Sequence, residues 1–262
     1  MNLLHVRHAT SILEYAGIKI LIDPVLAEKE TYPAIPLTPN KKRNPLVDLR
    51  TPMETFLGVD CILCTHTHND HFDEKAYELL DKNLTILCQE EDVVKFGTKG
   101  FHNTLPIKES LQYQGISIIR VTAQHGCGIT GKMMGTASGY VLQAKNEPTV
   151  YISGDTIYNN TVKFNIEHYH PQVLIMNAGS PKFLNSDRIV MNIIDIENTI
   201  KVNPKLTFVV VHLDTFNHCI ETRADILEYF TPDRQNEMGI GRFLVPQDNE
   251  FLGEEFFLDN LL

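Results

Sequence analysis

The segment Thr65-His66-Thr67-His68-Asn69-Asp70-His71 puts four potential metal-ligating side chains within six residues. In extended backbone, side chains at i and i+2 point the same way, so His66 and His68 present two imidazoles to one point and Asp70 follows in phase. His71 leaves from the opposite side as the chain turns, so one loop offers two ligand sets. Three imidazoles crowded on a surface would gain nothing; metal binding is the chemistry that this spacing serves. Four-coordinate or wider shells also draw ligands from elsewhere in a chain. His125, Asp155 in Ser153-Gly154-Asp155 and His212 each follow an apolar run of strand length. Ligands of open α/β sheets gather at strand C-terminal ends, which makes these three the candidates to complete the site.

The elements that must position them are legible as alternating apolar runs and amphipathic stretches. Ser11 to Ala16 and Ile18 to Ile22, separated by Gly17, read as a hairpin. Further strands are expected at Cys61 to Cys64, Leu84 to Cys88, Ile116 to Val121, Gly139 to Ala144, Thr149 to Ser153, Val173 to Met176 and Leu206 to Val211. Several are continuous β-branched runs, which implies burial on both faces and layers of helix outside the sheets. Helices are expected over Asp73 to Asp81, over Asn192 to Val202 before Asn203-Pro204, and after the capping-box pattern Thr222-x-x-Asp225. The fold class is α/β. A Pro-rich excursion at about 24–58 holds six of the 13 prolines between Pro24 and Pro52, together with Lys41-Lys42-Arg43. It cannot form a long helix or a central strand. Gly126, Gly128, Gly131 and Gly135 suggest a mobile loop after His125. Cys61-x-x-Cys64 is read as core, since residues at i and i+3 of a strand face opposite sides.

The whole chain, 262 residues with 43% hydrophobic and 21% charged, suits one domain around one large core. Its 23 Lys+Arg against 33 Asp+Glu give a net charge of −10, which disfavours nucleic acid or an anionic bilayer as partner. The longest apolar runs, such as Leu206 to Leu213, are far short of a ~20-residue membrane span. The N-terminal Met1-Asn-Leu-Leu-His-Val-Arg-His8 has no apolar signal-peptide region. Five scattered cysteines fit a reducing compartment, so a cytoplasmic location is expected, with homo-oligomerisation left open.

The pattern His66-x-His68-x-Asp70-His71 resembles the signature of the metallo-β-lactamase superfamily, and His125, Asp155 and His212 match its later ligands in order. The opening His8-Ala-Thr-Ser-Ile-Leu and Ile20-Leu-Ile-Asp23-Pro24 are similar to the branch of L-ascorbate-6-phosphate lactonases and N-acylphosphatidylethanolamine phospholipases. Asn177-Ala-Gly-Ser180 and the segment from Val211 to Cys219 resemble a nearby bacterial group. The likeness runs roughly from His8 to Phe230. It implies a four-layer αβ/βα sandwich of two mixed sheets with the metals at one edge. It further implies that His66, His68 and His125 hold one metal, that Asp70, His71 and His212 hold the other, and that Asp155 bridges them. The two divalent ions would be zinc or manganese, with iron also compatible. Asp23 matches a buried acid that hydrogen-bonds the ligand loop. His8 and His218 match branch histidines able to donate a proton or bind substrate, and Asp70 can also orient the nucleophile.

Two divalent cations ~3.5–4 Å apart can share a water and lower its pKa from 15.7 toward ~7, which provides hydroxide at neutral pH. Two ligand carboxylates and that hydroxide leave the centre net positive. The expected function is therefore hydrolysis of a small anionic lactone, ester or phosphodiester, with the Pro-rich segment and Ser180 to Met191 as pocket walls and Lys42 near the anion. A nuclease on this scaffold would want a basic surface, which the charge opposes. A di-iron redox protein would carry a Glu where His68 stands. A metal-binding protein without turnover is the alternative that ligands alone leave open.

Overall fold

The computed structural model describes residues 1–257. In chain order its strands are β1 (Asn2–Arg7), β2 (Thr10–Tyr15), β3 (Ile18–Ile22), β4 (Cys61–Cys64), β5 (Thr85–Gln89), β6 (Thr104–Ile107), β7 (Ser110–Tyr113) and β8 (Ile116–Ala123). They continue with β9 (Ala137–Gln143), β10 (Val150–Ile152), β11 (Val173–Asn177), β12 (Thr207–Val211), β13 (Arg242–Leu244) and β14 (Glu250–Leu252). Two seven-stranded sheets result, one ordered β14-β1-β2-β3-β4-β5-β6 and the other β13-β12-β11-β10-β9-β8-β7. Each is mixed. β1, β2 and β3 meander antiparallel before β3 to β6 run parallel, and β7 to β10 are antiparallel before β10 to β13 run parallel.

Alternation along the strands explains the layering. Ile20, Ile22, Cys61 and Leu63 point between the sheets and meet Ile118, Leu142, Val209 and Val211 from the other sheet. Their neighbours Leu21, Ile62 and Cys64 face outward onto α1 (Met53–Leu57), α2 (Glu74–Leu79) and α3 (Val93–Thr98) through Phe56, Tyr77 and Phe96. After α4 (Gly128–Met134), the outer face of the second sheet is covered by α5 (Asn160–Tyr169), α6 (Ile193–Val202) and α7 (Arg223–Tyr229), and α8 (Pro232–Glu237) follows. The architecture is the expected four-layer sandwich. Cys61 and Cys64 are both fully buried, in different layers, as the strand period requires.

Departures from the expected elements are local. β1, β6, β7, β13 and β14 were not anticipated; the last four are short edge strands that only pairing defines, while β1, inside its sheet, mixes His5 and Arg7 with its apolar residues. The glycines after His125 do not form an open loop, since α4 occupies that stretch. Gly131 packs on the preceding turn so tightly that a Cβ there would stand 2.7 Å from the Gly126 carbonyl oxygen. The Pro-rich excursion is irregular up to α1, apart from an isolated bridge between Tyr32 and Asn44.

Within β1, His5 is buried, its Nδ1 has no hydrogen-bond partner, and its pKa is pushed from 6.5 down to about 3 by burial, with Arg223 nearby. A histidine depressed in the fold stabilises it fully above its unfolded pKa, and this contribution is lost as pH falls from 6.5 toward 3. Replacing His5 by Leu should flatten the acid limb of stability by up to about 1.4 kcal/mol per pH unit in that window. Denaturant melts of both proteins at pH 7, 6, 5 and 4 check this; parallel curves would disprove it.

Candidate active site

Five chain segments end at one edge of the sandwich. The loop after β4 brings His66, His68, Asp70 and His71; His125 follows β8, Asp155 follows β10, His212 follows β12 and His8 follows β1. Three donor groupings form: His66 with His68 and His125; His66 with His71 and Asp155; and His8 with Asp70, His71 and His212, each set with its donor atoms within 4.8 Å of one another. The loop does not stay extended. His68 O accepts from the backbone N–H of His71 and of Phe72, at 2.9 and 2.8 Å, so the chain turns after His68. Asp70 thereby joins His71 and His212 instead of staying in phase with His66 and His68.

The separations are compatible with donors sharing a cation. Asp155 Oδ2 lies 3.3 Å from His71 Nε2, 3.5 Å from His125 Nε2 and 3.9 Å from His66 Nε2, and its Oδ1 lies 3.6 Å from His212 Nε2. His68 Nδ1 is 3.1 Å from His66 Nε2 and 3.3 Å from His125 Nε2. Two donors each ~2.1 Å from one ion at a tetrahedral angle stand roughly 3.4 Å apart, whereas a hydrogen bond wants about 2.9 Å. The buried Nε2 atoms of His71 and His212 have no hydrogen-bond partner. Unpaired buried nitrogens beside two carboxylates are costly without a cation, and the donor set fits one or two divalent ions.

The outward ring nitrogens are held by the protein, which aims the inward ones. His71 Nδ1 meets Asp23 Oδ2 at 2.8 Å, His125 Nδ1 meets Ile189 O at 2.9 Å and His212 Nδ1 meets Ala178 O at 3.1 Å. Asp23 also accepts from Thr65, at N (2.8 Å) and Oγ1 (2.7 Å), and that hydroxyl sits 3.1 Å from His66 Nδ1. Asn177 Nδ2 donates to Asp155 Oδ1 at 2.8 Å. Thr67 is pinned by Asp92 at 2.7 Å, and its carbonyl accepts from Lys95 Nζ at 2.6 Å. Burial pushes His66 well down and His125 to about 4. Burial would also lower His71, but Asp155 and Asp23 raise it to about 10. Asp155 and Asp70 are held well below the usual carboxylate range, against their burial, by the surrounding imidazoles.

A cavity of about 540 Å³ opens onto this cluster. His68, Asp70, His125 and His218 form its polar end, and Tyr32 to Pro36, Met134, Phe183, Ile189 and Phe216 supply the walls. The Pro-rich segment and the Ser180 to Met191 stretch are thus walls, as expected. His218 Nε2 stands 3.2 Å from Asp70 Oδ2. Lys41, Lys42 and Arg43 are not among the lining residues; Lys41 Nζ bonds Thr38 O and Arg43 bonds the carbonyls of Glu30 and Thr31. The expected role of Lys42 beside an anion therefore has no place here, and Lys95 is the cation on the wall. His8 is buried behind His212 and is not among the lining residues either.

Three residues that sequence reasoning did not single out hold the wall in place. Asn217, fully buried between Phe216 and His218, accepts through Oδ1 from Ile35 N (2.9 Å) and Asn44 Nδ2 (2.7 Å). Its Nδ2 donates to Thr38 Oγ1 and Asn40 O at 2.6 and 2.7 Å. Asp73, which caps α2, also accepts from Leu26 N and Ala27 N, and buried Arg7 donates to the carbonyls of Val25, Ala27 and Val47. Asp73 was visible in the sequence only as the start of an expected helix, and nothing local marked Arg7 or Asn217.

Comparison with known proteins places this geometry. The model of the β-lactamase superfamily domain matches residues 2–205. The UPF0173 protein YddR of Bacillus subtilis is 33% identical over 95% of this chain and 98% of its own length. A solved isothiocyanate hydrolase from Delia radicum gut bacteria is 34% identical, with a TM-score of 0.90 over 97% of this chain and 99% of that one. A possible metal-dependent hydrolase of Veillonella parvula is 33% identical, with a TM-score of 0.91 over 96% and 98%.

Removing the Asp23 carboxylate as Asp23→Asn should weaken metal affinity 10–100-fold while the fold persists, measured by chelator competition; unchanged affinity would show that it does not orient His71. Asn217→Ala leaves several buried partners unsatisfied and should cost at least about 2 kcal/mol in denaturant unfolding. It should also speed proteolysis within residues 31–44, and wild-type behaviour in both assays would count against the anchoring role.

Proposed function

The chain belongs to the metallo-β-lactamase superfamily, and from that premise we propose that it is a metal-dependent hydrolase using two divalent cations on a small electrophile with an apolar body. The observation that carries this reading is the joining of two donor groupings through Asp155 at the polar end of a cavity walled by Pro, Ile, Phe and Met. His66, His68 and His125 would hold one ion, Asp70, His71 and His212 the other, with Asp155 between them. When bound, the pair supplies Lewis acidity and a water of lowered pKa.

The chain's own residues do the rest. The walls from Tyr32 to Pro36, Phe183 and Phe216 bind the apolar body and exclude bulk water, so the reacting carbon is held at the His68 and Asp70 end. Asp70 orients the attacking water, and His218, at 3.2 Å from Asp70, delivers a proton to the departing atom. An isothiocyanate fits this description: water adds at the central carbon, the C–N bond breaks, and amine and carbonyl sulfide leave. The solved isothiocyanate hydrolase at 34% identity supports this class. A lactone, ester or phosphodiester bearing an anionic group is the second reading, favoured by Lys95 on the wall.

The test couples elemental analysis of the purified protein to a panel of phenethyl isothiocyanate, an alkyl lactone and bis(p-nitrophenyl) phosphate, each with added Zn²⁺ or Mn²⁺. Two metal equivalents and preferred turnover of the isothiocyanate are expected, and His68→Ala should lose metal together with more than about 100-fold of the activity. Preferred turnover of the phosphodiester would transfer the assignment to the anionic class, and metal-independent turnover would overturn both.

A further inference from the structure

His8 is the one histidine of the cluster with no part in that scheme. It is fully buried, and neither Nδ1 nor Nε2 has a hydrogen-bond partner. A buried histidine serving only the fold would pair at least one ring nitrogen, because an unpaired buried polar atom costs roughly 1–3 kcal/mol. A proton donor to substrate would reach the cavity, and His8 is not among its lining residues. Its ring lies against that of His212, centroids 3.6 Å apart, and the Phe216 ring centroid is 4.7 Å away.

The position of Nε2 is informative. It stands 3.6 Å from Asp70 Oδ2, nearly the same as the 3.7 Å from His212 Nε2 to that oxygen. Both are too long for hydrogen bonds and suit donors sharing an ion. Its donor atom lies within 4.8 Å of those of Asp70, His71 and His212. The backbone is shaped to put it there. The β1–β2 register shifts between His5 and Arg7, His8 adopts φ +55°, His212 adopts φ +69°, and the His212 N–H donates to His8 O at 2.8 Å. Left-handed backbone at non-glycine residues costs on the order of 1–3 kcal/mol and persists where surroundings impose it.

We infer that His8 is a ligand of the second cation, alongside Asp70, His71 and His212, which makes the two cation positions unequal in donor number. This rests on the two-cation reading above. Five protein donors, with Asp155 counted, suit a five-coordinate ion better than tetrahedral zinc, so the second position should favour Mn²⁺, Fe²⁺ or Co²⁺ geometry.

The test is titration of the metal-free full-length protein with Co²⁺, followed by visible absorption and by the paramagnetically shifted imidazole ring protons. Wild type should bind two equivalents and show six shifted imidazoles. His8→Asn, a residue that tolerates positive φ, should bind the first equivalent as before and the second at least about 10-fold more weakly, with a changed band. Two equivalents with five shifted imidazoles, or a variant that titrates like wild type, would remove His8 from the metal while leaving the two-cation reading intact. A wild type that binds a single equivalent would instead defeat that reading. Should the variant fail to fold, the count of shifted imidazoles in wild type decides.

Discussion

Everything at the active edge follows from the cost of burying ionisable groups without water. Asp70 and Asp155 are desolvated carboxylates, and His66, His71, His125 and His212 are desolvated imidazoles, drawn from four separate stretches of chain. Such a cluster is tolerable only if positive charge compensates the carboxylates and each imidazole has something to do with both nitrogens. The protein satisfies the outward nitrogens itself, through Asp23, Ile189 and Ala178. The inward Nε2 atoms of His71 and His212 are left without a hydrogen-bond partner, in groupings that could hold an ion.

The rest of the molecule can be read as the apparatus that keeps that arrangement rigid. Strands β4, β10 and β12 are buried along their whole length and β8 is buried at alternate positions at its start, and the ligands follow the ends of these four strands. Phe72, packed among Tyr77, Phe96 and Phe101, anchors the ligand loop one residue beyond His71. Asp73 then caps α2 and ties the same point to the start of the Pro-rich segment. The ligand loop and the cavity wall therefore share one anchor, so the distance between chemistry and substrate is set by hydrogen bonds that belong to both.

The cavity changes the picture of what such a site accepts. Charge arithmetic on the ligands pointed to an anion and singled out Lys42. Lys42 does not line the cavity, and its neighbours Lys41 and Arg43 satisfy carbonyls of their own irregular segment. What faces the centre is Pro, Ile and Phe. An apolar wall raises the strength of every charge beside it, which is the ground for the proposed substrate with a polar reacting end and an apolar body.

Sequence alone determined the layers and marked the candidate donors. The unbroken apolar runs Ile20 to Ile22 and Cys61 to Cys64 dictate strands buried on both faces, and the crowding of His66, His68, Asp70 and His71 is the spacing that a metal site uses. These are local properties: side-chain type and spacing along a few residues. Tertiary structure decided which donors share a grouping, since the turn at His68 that redirects Asp70 depends on packing of Phe72. It also decided that His8 lies behind His212 and away from the cavity, and that Asn217 fastens Ile35 and Asn44 across the site. Those pairings join residues separated by more than 170 positions along the chain, and no periodicity or local propensity encodes a contact made only when strand ends from two sheets meet.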